Sequence, residues 1–131
     1  MEQNQRNSAG RKCDKLGLSK AERMLLLCMD RKRGKCASSA QMLVSWKYLK
    51  KRLKELKLES RGGVIRLKLG CVGICKGGPI MTVVPDGTWY GCCTPEAIER
   101  IIQEHLIGGQ IVTEFLLAQS FTRSSTEQES L

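Results

Sequence analysis

The chain has 131 residues, a formal net charge of +9 and 41% hydrophobic content, enough for one domain with a real core and two tails. No apolar run approaches the roughly 18 residues that span a bilayer, and the polar stretch Met1 to Gly10 lacks the apolar region of a secretory signal. Seven cysteines with no export signal read as metal ligands or redox thiols, not as a disulfide framework, and point to a reducing cytoplasm.

Residues 1–20 are polar and basic, and predict a disordered tail; 119–131, rich in Ser, Thr, Glu and Gln, predict another. Between them, 21–118 alternate strand and helix signals. Met24-Leu25-Leu26-Leu27 is a short apolar run of the kind found in a buried strand, and it ends at Cys28. A basic loop, Asp30 to Lys35, leads to Cys36, and Ser38 or Ser39 can cap the helix that follows. The helix carries Met42, Trp46, Leu49, Leu53 and Leu56 on one stripe, which predicts lysines on the opposite face. Val64 to Leu69 alternates and predicts a half-buried strand, with Ile65, Leu67 and Leu69 inward and Arg66 and Lys68 outward. Ile80 to Val84 reads as a third strand, Pro85-Asp86-Gly87 as a turn, and Thr88-Trp89-Tyr90 as the returning fourth. Thr94-Pro95-Glu96 opens a last helix that buries Ile98, Ile101 and Ile102, runs to about Leu106 and stops at Gly108-Gly109. The expected architecture is therefore α/β, ordered β-α-β-β-β-α around a four-stranded mixed sheet, which is the ordering of a thioredoxin-like domain.

Four cysteines set the chemistry. Cys28, Cys36, Cys71 and Cys75 form two close pairs separated by a long segment, and both pairs fall at or just after strand ends. Four thiolates at one spot hold either Zn²⁺ or an iron–sulfur cluster. Gly73 and the Lys76-Gly77-Gly78 stretch suit a backbone that folds round such a centre and offers amide donors to sulfur, or equally a plain tight turn.

The stretch Cys71-Val-Gly-Ile-Cys75-Lys-Gly-Gly-Pro79, followed by Val83-Val84-Pro85-Asp86-Gly87-Thr88-Trp89-Tyr90 and by Ile102 to Leu106, resembles the thioredoxin-like [2Fe-2S] ferredoxins. Related domains occur in the cluster-bearing small subunit of bacterial NADH dehydrogenases. Trp46 to Lys54 looks most like the cyanobacterial-type branch. The resemblance spans about residues 22–117 and implies a one-electron carrier, not an enzyme, with a single [2Fe-2S] cluster on Cys28, Cys36, Cys71 and Cys75. The gap between the first two is shorter than in many members. The family precedent also allows a homodimer.

Arg31 to Lys57 holds ten Lys or Arg against Glu55 alone. That excess favours anionic partners, and in the ferredoxin reading these are redox proteins with acidic docking surfaces. Arg31, Lys32, Arg33 and Lys35 lie between two proposed ligands. A unit charge at about 8 Å, with an effective dielectric near 20, favours an added electron by roughly 2 kcal/mol before solvent screening.

The rival readings use the same residues. Structural zinc suits the second cysteine pair but not the seven-residue gap of the first. A zinc domain whose basic helix binds nucleic acid or a membrane surface would use Lys47, Lys50, Lys51, Arg52, Lys54 and Lys57, though no recognised RNA motif accompanies them. An iron–sulfur carrier or sensor would share the four ligands. A thiol–disulfide enzyme lacks its Cys-x-x-Cys. Cys92 and Cys93 are expected to be non-ligands, one of them facing away from the sheet, and Cys13 falls in the first tail. His105 sits beside the apolar face of the last helix, near its C-terminus. Pro79 falls where this fold often has a cis proline.

Overall fold

The computed structural model of the chain describes residues 2–29, 38–70, 73–74 and 76–121. Along the chain run α1 (Gln3–Leu16), β1 (Arg23–Cys28), α2 (Ser39–Glu55), β2 (Val64–Leu69), β3 (Met81–Val84), β4 (Thr88–Tyr90), α3 (Pro95–Arg100) and β5 (Leu116–Gln119). α3 continues as a wider π-helical stretch, Ile101–Ile107.

The sheet has five strands, not the four expected, in the order β2-β1-β3-β4-β5. β1 is parallel to β2 and antiparallel to β3, and the rest of the sheet is antiparallel. The extra strand, β5, closes the free edge of β4 with an irregular register at Trp89 and Tyr90. Its signal was weak because four residues with two half-exposed ends show little alternation.

The starts of α2 and α3 follow the side-chain chemistry of their capping residues. Ser38 Oγ accepts from the Gln41 amide at 3.1 Å, and the Gln41 side chain accepts from the Ser38 amide at 3.0 Å, a reciprocal capping box. Thr94 caps α3 through the Ala97 amide at 3.3 Å, with Pro95 in the first turn. Leu49 and Leu53 of α2 and Ile98, Ile101 and Ile102 of the last helix then close over Leu25, Leu27, Met81, Val83 and Tyr90. These strand residues share a parity, so one sheet face carries the core.

The expected inward face of β2 holds at Ile65, which is buried, but not at Leu67. Leu67 is 42% exposed. Arg66 and Lys68 instead turn towards α2, where the Arg66 guanidinium lies 5.0 Å and the Lys68 ammonium 5.1 Å from the centre of the Trp46 ring. β2 is an edge strand, and there an indole with two cations over it replaces an aliphatic layer. Trp46 is accordingly half-buried at the border of the core, not within it.

The segment expected as a disordered tail contains α1, a helix none of whose residues is buried. It is held at its end by Gly17 (φ 77°), where an added Cβ would come within 2.7 Å of the Ser60 carbonyl carbon. No helix among the described residues is long and apolar enough to cross a membrane.

Candidate metal centre

Of the four proposed ligands, Cys28 lies among the described residues; Cys36, Cys71 and Cys75 lie outside them, as do Arg31, Lys32, Arg33 and Lys35. Cys28 ends the central parallel strand and is 1% exposed. Its amide donates to Ile80 O at 2.8 Å and its thiol lies 3.6 Å from Gly70 O. The parallel register sets Cys28 opposite Leu69, and the Met29 amide donates to Leu69 O at 2.7 Å. The ends of β1 and β2 therefore leave the sheet side by side, and Gly70 adjoins Cys71 in sequence.

The next described segment prepares the same end of the sheet. Gly73 (φ 89°) and Gly77 (φ 68°) both adopt the left-handed conformation, and a Cβ at either would meet nothing within 4 Å. Both glycines meet the need of the backbone for a positive φ. Gly77 O accepts from the Cys92 amide at 2.6 Å, and Pro79 O from the Cys93 amide at 2.9 Å. The Gly78–Pro79 bond is cis, as the position of Pro79 suggested.

The adjacent cysteines divide as expected. Cys93 is fully buried, its thiol 3.6 Å from both Tyr90 O and Gly91 O. Burial, with the neighbouring Cys92, pushes its pKa up to about 12. Cys92 is exposed and holds a left-handed backbone (φ 51°). Cys13 is exposed on α1. A buried Ser45 hydroxyl donates to Cys93 O at 2.7 Å and so ties α2 to this loop, a contact for which the sequence carried no signal.

His105 is occupied elsewhere. It lies between Tyr90 and Asp86, in the turn that leads away from the far end of β3. Neither ring nitrogen is free for a metal.

The fold of this chain is similar to that of solved thioredoxin-like structures. The thioredoxin-like [2Fe-2S] ferredoxin from Aquifex aeolicus superimposes with a TM-score of 0.66 at 23% identity, over 78% of this chain and 96% of that one. A wild-type structure of that ferredoxin gives 0.61 at 27% identity, over 75% and 98%. In sequence, 50 residues are 40% identical to a 2Fe-2S ferredoxin of Aquifex aeolicus, covering 38% of this chain and 45% of the relative. A further 2Fe-2S ferredoxin, from Clostridium pasteurianum, is 46% identical over 43 residues, 33% of this chain and 42% of the relative. The chain is related to the thioredoxin-like [2Fe-2S] ferredoxins. The sequence match spans less than half the length of these curated relatives. No protein-family profile matches the chain. The fold of these ferredoxins thus extends over most of this chain, while close sequence likeness is confined to a short part of it.

Proposed function

We propose that the chain is a one-electron carrier that binds a single [2Fe-2S] cluster through Cys28, Cys36, Cys71 and Cys75. The observation that supports this most is the buried Cys28 thiol at the end of a strand registered beside β2, whose continuation carries the second cysteine pair. A cysteine sulfur is a soft ligand, and thiolates in a set of four are what such a cluster requires. When bound, the cluster supplies reversible one-electron chemistry. The chain's own residues shield Cys28 from solvent and hold the Gly77 to Pro79 segment against Cys92 and Cys93. The same reading takes redox proteins with acidic docking surfaces as partners, allows a homodimer, and places the chain in the cytoplasm, with no catalytic turnover of its own.

The test is an absorption spectrum of anaerobically purified protein, with iron, sulfide and zinc assayed on the same sample. Bands between about 320 and 560 nm that bleach on dithionite, with about two irons and two sulfides per chain, are the expected result. A colourless protein holding one zinc overturns it and turns attention to the basic helix. Sedimentation of the same sample reads the oligomeric state.

A further inference from the structure

Ala40, Val44, Lys47 and Lys51 follow one another on α2 at steps of four, three and four residues, so they share one stripe of the helix. The stripe changes character along its length. At the end that follows Cys36, Ala40, Val44 and Ser45 form one wall of a groove of about 230 Å³, and Pro79, Thr94 and Pro95 form the other. Val44 is 54% exposed at its rim. The two walls are tied together, because Ser45 donates to Cys93 O and the Cys93 amide donates to Pro79 O. The groove is thus a fixed feature of the fold and adjoins both cysteine-bearing segments in sequence. Further along, Lys47 and Lys51 are exposed and flanked by exposed Lys50 and Lys54. Among the described residues none of these four lysines has an ion-pair partner, whereas Arg52 on the flank is engaged by Glu99 and Glu55.

We propose that this stripe is the docking track for an acidic one-electron carrier protein, which seats an apolar side chain in the groove and sets carboxylates on Lys47 and Lys51. The proposal rests on the electron-carrier reading and specifies its partner face. Charge on the lysines steers and orients the encounter, while the apolar contact holds the partner at the groove. A nucleic acid would use the lysines but leave Val44 and Pro79 unused. The one aromatic ring of α2 beside them on the β2 side, Trp46, already carries two cations on its face and offers no free platform for a base.

The experiment is stopped-flow oxidation of the dithionite-reduced chain by oxidised flavodoxin, an acidic one-electron carrier, with cluster absorption recorded on every sample. Val44→Asp and the double variant Lys47→Glu/Lys51→Glu are each expected to lower the second-order rate constant by about tenfold or more. Lys20→Glu/Arg61→Glu, which changes net charge equally at exposed sites away from the stripe, should lower it less than about threefold. Ala40→Asp, also exposed, replaces Val44→Asp should that variant fail to fold. Full cluster absorption with an unchanged rate in Val44→Asp and Ala40→Asp, or with equal losses in both charge doubles, overturns the track and leaves the carrier reading intact. A chain without cluster absorption overturns the carrier reading and the track with it. Tighter binding to a DNA duplex that depends on the lysines and ignores Val44 assigns the face to nucleic acid and overturns the proposal.

Discussion

His105 and Asp86 meet at 2.6 Å, Nε2 to Oδ2, across nineteen residues of chain, with the His105 side chain 4% exposed. The rest of the network assigns the protons of the neutral ring. The Val112 amide donates to the Tyr90 hydroxyl at 3.1 Å, so that hydroxyl gives its own proton to Nδ1 at 2.8 Å. The proton on Nε2 then goes to Asp86. Arg23 Nε donates to the same carboxylate at 3.1 Å, and the turn is further held by Gln119 on Asp86 O. This chain of contacts fastens β1, the β3–β4 turn, the last helix and β5 to one another at the end of the sheet away from Cys28.

Burial works against ionisation of Asp86, yet the hydrogen bonds from His105 and Arg23, with the charge of Arg23, outweigh it and hold the carboxyl below its usual value. A carboxyl depressed in the folded state contributes stability that is fully present above the unfolded value of about 3.9. That contribution is lost as pH falls through the lower folded value. Asp86→Asn should therefore destabilise the protein by about 1–3 kcal/mol at neutral pH. Thermal melts below about pH 4 should show the wild type losing stability faster than the variant, so that the two curves converge.

Tyr90→Phe tests the same network without touching the carboxylate. Val112 is 1% exposed, so its amide loses the Tyr90 hydroxyl in a dry site while His105 Nδ1 loses its donor. A loss of about 1–3 kcal/mol is expected by urea unfolding, with the pH dependence assigned to Asp86 retained.

The thiols should separate by reactivity. Cys93, buried and with its pKa pushed up to about 12, stays unmodified by iodoacetamide at about pH 8 in the folded protein. Cys13 and Cys92, both exposed, react under the same conditions. Peptide mapping before and after denaturation reads the difference. Modification of Cys93 in the native state would show that the loop from Tyr90 to Thr94 opens.

Cysteine substitution separates ligands from bystanders. Cys28→Ser should lower iron per chain and alter the absorption bands, whereas Cys92→Ser should leave both unchanged. Equal iron in the two variants would remove Cys28 from the proposed ligand set.

Two left-handed glycines make a graded pair. Gly77→Ala carries only the backbone cost of a positive φ, about 1–2 kcal/mol, because its Cβ enters open space. Gly87→Ala adds a collision, since a Cβ there would lie 2.5 Å from Ser120 O in the turn that receives β5. Its loss should be about 3 kcal/mol or more by urea unfolding.

Much of the framework was legible because its signals are local. Ser38 or Ser39, and Thr94 with Pro95, announce helix starts through hydrogen bonds made within one turn. Leu25 and Leu27 in an apolar run, and Pro85-Asp86-Gly87 between two strands, announce β1 and the hairpin by composition and spacing. The face of β2 was misread at Leu67 because alternation marks two faces but does not say which one a helix covers.

The sequence by itself determined the order of β1 to β4, α2 and α3, the set of candidate thiolates and the lysine face of α2, since each depends on residues a few positions apart. Only the tertiary structure decided that Leu116–Gln119 adds a fifth strand, that Trp46 covers Arg66 and Lys68, and that Cys93 is buried while Cys92 is not. It also decided that the turn carboxylate of Asp86 belongs to His105 and Arg23. These are pairings between distant segments, set by which surfaces the packed sheet brings together, and no local periodicity encodes them.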